Sequence, residues 1–130
     1  MNDLFHIKQK ILDKDYEDAI KLIEKVLGLD GKNLNAIILL AITYESMNNY
    51  LESIKQYELA NKIKKTHFNY NRIALLNIKI KQYNKAIINY QKSLELNNNV
   101  PETHNNFGLL LVLQKKEKKA LIHSTASLFG

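Results

Sequence analysis

Residues 67–100 read HFNYNRIALLNIKIKQYNKAIINYQKSLELNNNV, and this stretch decides the fold. Its apolar and small residues recur at helical spacing in two separate runs. The first passes through Tyr70, Ile73 and Ala74, the second through Ile87, Tyr90, Ser93 and Leu94. Only the polar pair Lys81-Gln82 lies between the runs, and a connection that short forces two helices to lie antiparallel.

The same pattern returns on both sides. Tyr16-Glu17-Asp18-Ala19-Ile20, Tyr50-Leu51-Glu52-Ser53-Ile54, Tyr83-Asn84-Lys85-Ala86-Ile87 and Glu117-Lys118-Lys119-Ala120-Leu121 align, and their small residues stand 34, 33 and 34 positions apart. Tyr57 matches Tyr90, and Ala60 and Ser93 match Ser127. Upstream, Ala41, Ala74 and Gly108 each follow a large apolar residue: Leu40, Ile73 and Phe107. Polar turns at Asp13-Lys14-Asp15, Asn48-Asn49, Lys81-Gln82 and Lys115-Lys116 then predict helices over 3–13, 16–28, 34–47, 50–63, 67–80, 83–97, 101–114 and 117–128. Pro101 suits a first helical turn, where its missing N–H costs nothing, and Gly130 suits a helix end.

This arrangement resembles the tetratricopeptide repeat (TPR) family, whose period it shares. Residues 67–100 supply the family's large, large–small, aromatic and small positions as Tyr70, Ile73-Ala74, Tyr83, Ala86, Tyr90 and Ser93. The resemblance implies one all-α domain over 1–130, a right-handed α-solenoid of antiparallel helix pairs with seven or eight helices. Its repeats span about 1–33 (partial), 34–66, 67–100 and 101–130. The first helix departs from the pattern, with Asp3, His6 and Lys10 in core slots, yet Leu4, Ile7 and Ile11 still give it an apolar face. The last repeat departs as well, with Glu117 and Ser124 where aromatics are expected. The family's proline is replaced by Gly31, Lys65 and Asn98. Leu121, Ile122, Leu128 and Phe129 crowd the final stretch, which predicts either self-association through that end or a chain that continues.

Composition narrows the function. With 45% apolar and 25% charged residues the chain is of ordinary globular type. No cysteine is present, so no disulfide or thiolate metal site can form, which fits a reducing cytoplasm. The longest apolar run, Ala36 to Ile42, is far short of the roughly 20 residues that span a bilayer, so membrane insertion is not expected. Residues 1–66 carry equal numbers of lysines and acids. The whole excess of +6 therefore lies in residues 67–130, where eight lysines and Arg72 face Glu95, Glu102 and Glu117.

No catalytic constellation is present, and neither a metal site nor a cofactor is expected. His6, His67, His104 and His123 form no i, i+4 pair on one helix. His104 falls on a core-facing position of a run through Phe107, Leu110 and Leu111, and reads as a packed, hydrogen-bonded histidine. Gly28 and Gly31 flank a helix–helix turn rather than a phosphate loop. Asp13, Asp15, Glu17 and Asp18 gather where a helix dipole favours negative charge.

What remains is binding. The resemblance implies a concave groove, lined by the first helix of each pair, that holds a peptide or helical segment of another protein. Carried over, its lining is Asn35, Ile38, Leu39, Ile42 and Glu45, then Phe68, Asn71, Arg72, Leu75 and Lys79, then Glu102, Asn105, Asn106 and Leu109. The competing explanation for the apolar members is packing against adjacent helices. Arg72 occupies a position that some members use to clamp the C-terminal carboxylates of heat-shock chaperones. The other clamp slots hold Leu4, Lys8, Leu39 and Phe68, so no tight binding of a Glu-Glu-Val-Asp tail is expected. Two alternatives stand beside a peptide scaffold. One is a self-associating module. The other is a basic surface of Lys79, Lys81, Lys85, Lys115, Lys116, Lys118 and Lys119 for nucleic acid or anionic lipid.

Overall fold

The first six helices begin at the residues that the repeat assigns to them. A computed structural model describes residues 3–129, with side chains to Lys119. Its helices are α1 (Asp3–Leu12), α2 (Tyr16–Leu29), α3 (Leu34–Ser46), α4 (Tyr50–Ile63), α5 (His67–Lys79), α6 (Tyr83–Leu96) and α7 (Pro101–Phe129). Each packs chiefly on its neighbours in sequence, so the described residues form an all-α solenoid.

The turns inside the pairs are copies of one another. Lys14, Asn48 and Lys81 each adopt a left-handed backbone, with φ of 62°, 61° and 62°. The next N–H reaches back into the helix: Asp15 to Lys10, Asn49 to Tyr44 and Gln82 to Asn77, each at 2.8 Å. The left-handed residue itself donates to Ile11, Glu45 or Ile78, each at 3.0 Å. This double closure satisfies carbonyls that a helix end would otherwise leave bare. Between repeats the chain uses side-chain caps. Asn33 accepts from Ala36 N–H and Thr66 from Asn69 N–H, both at 3.1 Å.

Three core clusters follow one another, each built from three successive helices. Ile7, Ile23, Ala36, Leu39 and Leu40 join α1, α2 and α3, with Leu4 and Ile11 packed against them. Ala41, Ile54, Tyr57, Ile73 and Leu76 join α3, α4 and α5. Ala74, Ala86, Tyr90 and Leu110 join α5, α6 and α7. Small residues sit where paired helices cross: Ala41, Ser53, Ala74, Ala86 and Ser93 are all fully buried. Ser53 Oγ donates to Ala41 O at 2.7 Å and Ser93 Oγ to His67 O at 3.0 Å, so these hydroxyls bring no unmet polar group into the crossing. At the degenerate first pair, Lys10 Nζ bridges Asp18 (3.3 Å) and Asp15 (3.5 Å), tying α1 to α2 where a core residue was missing.

Two expectations are corrected. No turn forms at Lys115-Lys116; α7 runs unbroken from Pro101 to Phe129, so the helices read separately at 101–114 and 117–128 are one, and the described residues form seven helices, the lower of the two numbers expected. The segment Gln114–Ala120 is rich in strong helix formers, and Glu117 replaces the tyrosine that anchors the earlier second helices. Tyr50 and Tyr83 pack against the second and third clusters. Nothing comparable rewards a bend at residue 115. The expected core residues of α7 are corrected as well. Thr103 and Leu110 are buried, while Leu111 is exposed and His104 is exposed with its Nε2 2.8 Å from Asn98 O. The side chains of Leu121, Ile122, Leu128 and Phe129 lie outside the described residues, as does Gly130.

A left-handed conformation costs a non-glycine residue roughly 1–2 kcal/mol. Replacing Lys81 by glycine should therefore raise stability by up to about 1 kcal/mol in urea denaturation, the greater entropy of unfolded glycine offsetting part of the gain. A loss of stability in Lys81→Gly would show that the lysine side chain, not the backbone, holds that turn.

Candidate functional site

The first helices α3, α5 and α7 are joined to one another by side chains as well as by the core. The Arg72 guanidinium on α5 is ion-paired with the Glu45 carboxylate on α3, with side chains 31% and 21% exposed. Tyr57 hydroxyl, rising from α4, approaches the same carboxylate at 3.5 Å. On the other side Asn71 Nδ2 donates to Thr103 Oγ1 at 2.7 Å, linking α5 to α7. Adjacent residues on α5 thus reach in opposite directions, Arg72 toward the preceding repeat and Asn71 toward the following one.

The residues assigned to the groove differ widely in exposure. Leu39 is only 7% exposed and belongs to the first cluster, so it has almost no surface for a partner. Ile38, Ile42 and Leu75 are half-buried and pack against the second and third clusters, as the packing explanation anticipates. Asn71 and Arg72 are half-buried and already engaged between helices. Asn35, Lys79 and Asn105 are exposed, and Asn106 is half-buried. Phe68 and Leu109 are 48% and 68% exposed, large apolar side chains left outside the core. Lys79 Nζ lies 5.6 Å from the centre of the Tyr50 ring.

Burial shapes the titration of this region. It pushes the Tyr57 and Tyr90 hydroxyls up to about 12; at Tyr90 Arg72 opposes the shift and Glu102 adds to it. Among the described residues the Tyr90 hydroxyl and Asn71 Oδ1 are buried without a hydrogen-bond partner, and both lie at the junction of α5, α6 and α7. Sequence reasoning missed Thr103, because its counterparts in the repeat, Ala36 and Asn69, are buried positions at which no one residue type recurs. It also missed a cleft of about 600 Å³ on α4, lined by Leu27, Ile37, Leu59 and Ile63 with Lys32 and Lys62 at its edge. Outer positions of second helices follow no repeat rule that would mark such a cleft. Among the described residues no group of histidines and acids is placed to hold a metal ion, and no helix is long and apolar enough to cross a membrane.

Helix pairs in register, small residues at their crossings and bridged first helices define a tetratricopeptide-type solenoid. The chain belongs to the family described as anaphase-promoting complex, cyclosome, subunit 3, whose pattern matches residues 13–93. No curated protein matches the sequence. Among solved structures, the protein MamA superposes with a TM-score of 0.77 at 22% identity, over 88% of this chain and 67% of its own. The first TPR of Spaghetti (RPAP3), bound to the HSP90 peptide SRMEEVD, gives 0.78 at 18% identity, over 87% and 90%. The Yersinia enterocolitica type III secretion chaperone SycD, in complex with a peptide of the translocator YopD, gives 0.78 at 19% identity, over 90% and 92%. At these identities the likeness is one of fold.

Two measurements check the site. Arg72→Ala should cost about 1–3 kcal/mol, because it strands a half-buried carboxylate. Adding Glu45→Ala should recover part of that loss, so the double variant falls short of the sum of the singles; strict additivity in urea melts would mean that the pair contributes nothing. The tyrosines supply the second. Tyr57 and Tyr90 are held neutral in the fold, so unfolded chains ionise first as pH rises through 10. Stability should be full below pH 10 and fall between 10 and about 12. Absorbance titration should show these two of the seven tyrosines ionising together with loss of helix.

Proposed function

We propose that this chain is a protein-interaction scaffold that receives an apolar peptide or helical segment of a partner along α3, α5 and α7. One observation carries the proposal. After the core has taken up Leu39, Ile38, Ile42 and Leu75, the first helices still expose Phe68 and Leu109, accompanied by Asn35, Asn105 and Lys79. Apolar side chains in such company suit the side chains of a partner, while the amides can donate to and accept from its main chain. The Arg72–Glu45 and Asn71–Thr103 bridges fix the spacing of the three helices, so little ordering cost falls on binding. Two structural relatives hold peptides, which supports the same use of this fold.

The chemistry of the ligand differs from that of a carboxylate tail. Arg72 is committed to Glu45, and Leu4, Leu39 and Phe68 stand where a clamp needs polar side chains. The scaffold therefore selects apolar segments, and its affinity depends weakly on salt.

The test is capture of partners from host lysate by the wild type beside a Phe68→Ser, Leu109→Asp double variant. Both positions are exposed, so helicity and melting should be unchanged. Polypeptides held by the wild type and released from the variant place the binding on the first helices. Equal retention by both proteins sinks the proposal. In calorimetry the peptide SRMEEVD should give no heat; clear binding would show that the carboxylate chemistry survives without the clamp residues.

A second reading has its own observation. Lys81, Lys85 and Lys118 surround a cleft of about 470 Å³ with Gln82, Tyr83, Asn84, Gln114 and one acid, Glu117, in the half of the chain that carries the positive excess. Retained nucleic acid that washes off steeply with salt would favour this surface instead.

A further inference from the structure

The cleft of about 600 Å³ opens between α4 and the loop that joins α2 to α3. Ile37, 4% exposed, closes its base, and Leu27, Leu59 and Ile63 form its walls. Leu59 and Ile63 belong to none of the three core clusters and remain nearly half exposed. The cleft shares no residue with the first-helix face proposed above for a partner.

The repeat does not account for it. The register carries Leu27, Ile37 and Leu59 onto Asn61, Tyr70 and Lys92, and of the four apolar positions only Ile63 recurs, as Leu96. In that next repeat the corresponding surface is covered from within the chain. Lys92 Nζ lies 5.8 Å from the centre of the Tyr70 ring, and Asn61 Oδ1 accepts from Thr66 N–H at 3.4 Å, tying the loop to α4. In the cleft, leucine replaces both the covering lysine and the accepting asparagine. The loop is also one residue longer, 30–33 against 64–66, and it carries Gly31. That glycine has no positive φ, and a Cβ there would meet only Leu27 O at 3.7 Å, an ordinary contact. Backbone geometry therefore does not demand it, and its bareness leaves the rim low.

Charge selects the occupant. Among the described residues that line the cleft, the charged ones are Lys32 on the loop and Lys62 on α4, and neither is ion-paired. Asp30 Oδ1 accepts from Lys32 N–H, and Glu58 lines neighbouring clefts. Two unpaired cations across an apolar cleft favour carboxylates at its edges and apolar side chains between them. A small apolar acid would meet the same charges, but sites for small molecules bury most of the ligand, and walls this exposed cannot enclose one. A polypeptide segment brings its own backbone to cover the cleft.

We propose that this cleft is a second docking site, which takes a short segment of another protein whose apolar side chains stand between Asp or Glu residues. Leu27, Leu59 and Ile63 receive the apolar side chains, and Lys32 and Lys62 receive the acids on either side. The site stands whether or not the first helices bind a partner of their own.

A display library of peptides with two apolar positions, flanked on each side by either Glu or Lys, tests it. Selection on the wild type should return Glu-flanked sequences. Leu59→Lys copies the residue that the third repeat carries at this place, so helix content and melting should be kept. In calorimetry the selected peptides should bind this variant at least about tenfold more weakly, the worth of one buried leucine. Lys32→Glu with Lys62→Glu should reverse the preference to Lys-flanked sequences, a result that no general loss of folding can give. Phe68→Ser with Leu109→Asp should leave binding unchanged. Selection without a preference for acidic flanks, or binding that survives Leu59→Lys at full strength, overturns the proposal. Loss of binding in the first-helix double variant does so too, because it puts the peptides on the other face. Binding of dodecanoate with no peptide selected would mark a small-molecule site. A wild-type dimer in light scattering that Leu59→Lys makes monomeric would mark a second copy as the occupant. Either result refutes docking of a partner segment here.

Discussion

The close crossing of paired helices is the constraint on which the rest depends. Ala41 against Ser53 and Ala74 near Ala86 allow two backbones to approach at a distance that larger side chains would forbid. That approach brings the large residues on either side, Leu40, Tyr57, Ile73 and Tyr90, into reach of the adjacent helices. The three clusters then share α3 and α5 as common walls. The serines extend the point. A buried hydroxyl is tolerated at Ser53 and Ser93 because each finds a backbone carbonyl within 3.0 Å across a crossing that is already tight.

Given that crossing, the turns have little freedom. A reversal between helices this close must be brief, and all three use a left-handed residue with the same two closing hydrogen bonds. None of the three is glycine; two are lysine and one is asparagine. The conformation is therefore imposed by tertiary packing against local preference, with the tyrosine that opens the second helix contributing at Tyr50 and Tyr83. At residue 115 the local preference is the same or stronger and the tyrosine is absent. The balance there falls to continuation of the helix. Where glutamate stands in place of tyrosine, the helix continues through the position of the turn.

That difference explains which features were legible in the sequence. Helix starts at residues 16, 34, 50, 67, 83 and 101 follow from turn residues and small-residue spacing, because those are set by packing that every repeat shares. The eighth helix was misread because spacing records where a second helix would pack and says nothing of whether the chain reverses to reach it. Within the candidate site, Asn35, Asn105, Phe68 and Leu109 are exposed as the repeat positions suggest. Leu39 is not, since in this chain it meets Ile7 and Ile23 of the degenerate first pair and is drawn into their cluster. His104 and Leu111 failed for a related reason. A face is core only where another helix covers it, and among the described residues no helix covers that face of α7.

The charged and amide side chains of α5 show how an interaction surface is stabilised without being used up. Arg72 was read as a candidate ligand contact, yet its guanidinium is held by Glu45 and its neighbour Asn71 by Thr103. Both residues act across helix boundaries, where the solenoid has fewer core contacts to set relative spacing. A solenoid resists bending only as well as its nearest-neighbour interfaces do. Bridges between first helices therefore fix the separation of α3, α5 and α7, while Phe68 and Leu109 remain available beyond them. Had Arg72 been free to pair with a ligand, Glu45 would have been left half-buried and unpaired, and the helices that present the apolar residues would have lost the tie that keeps them in register.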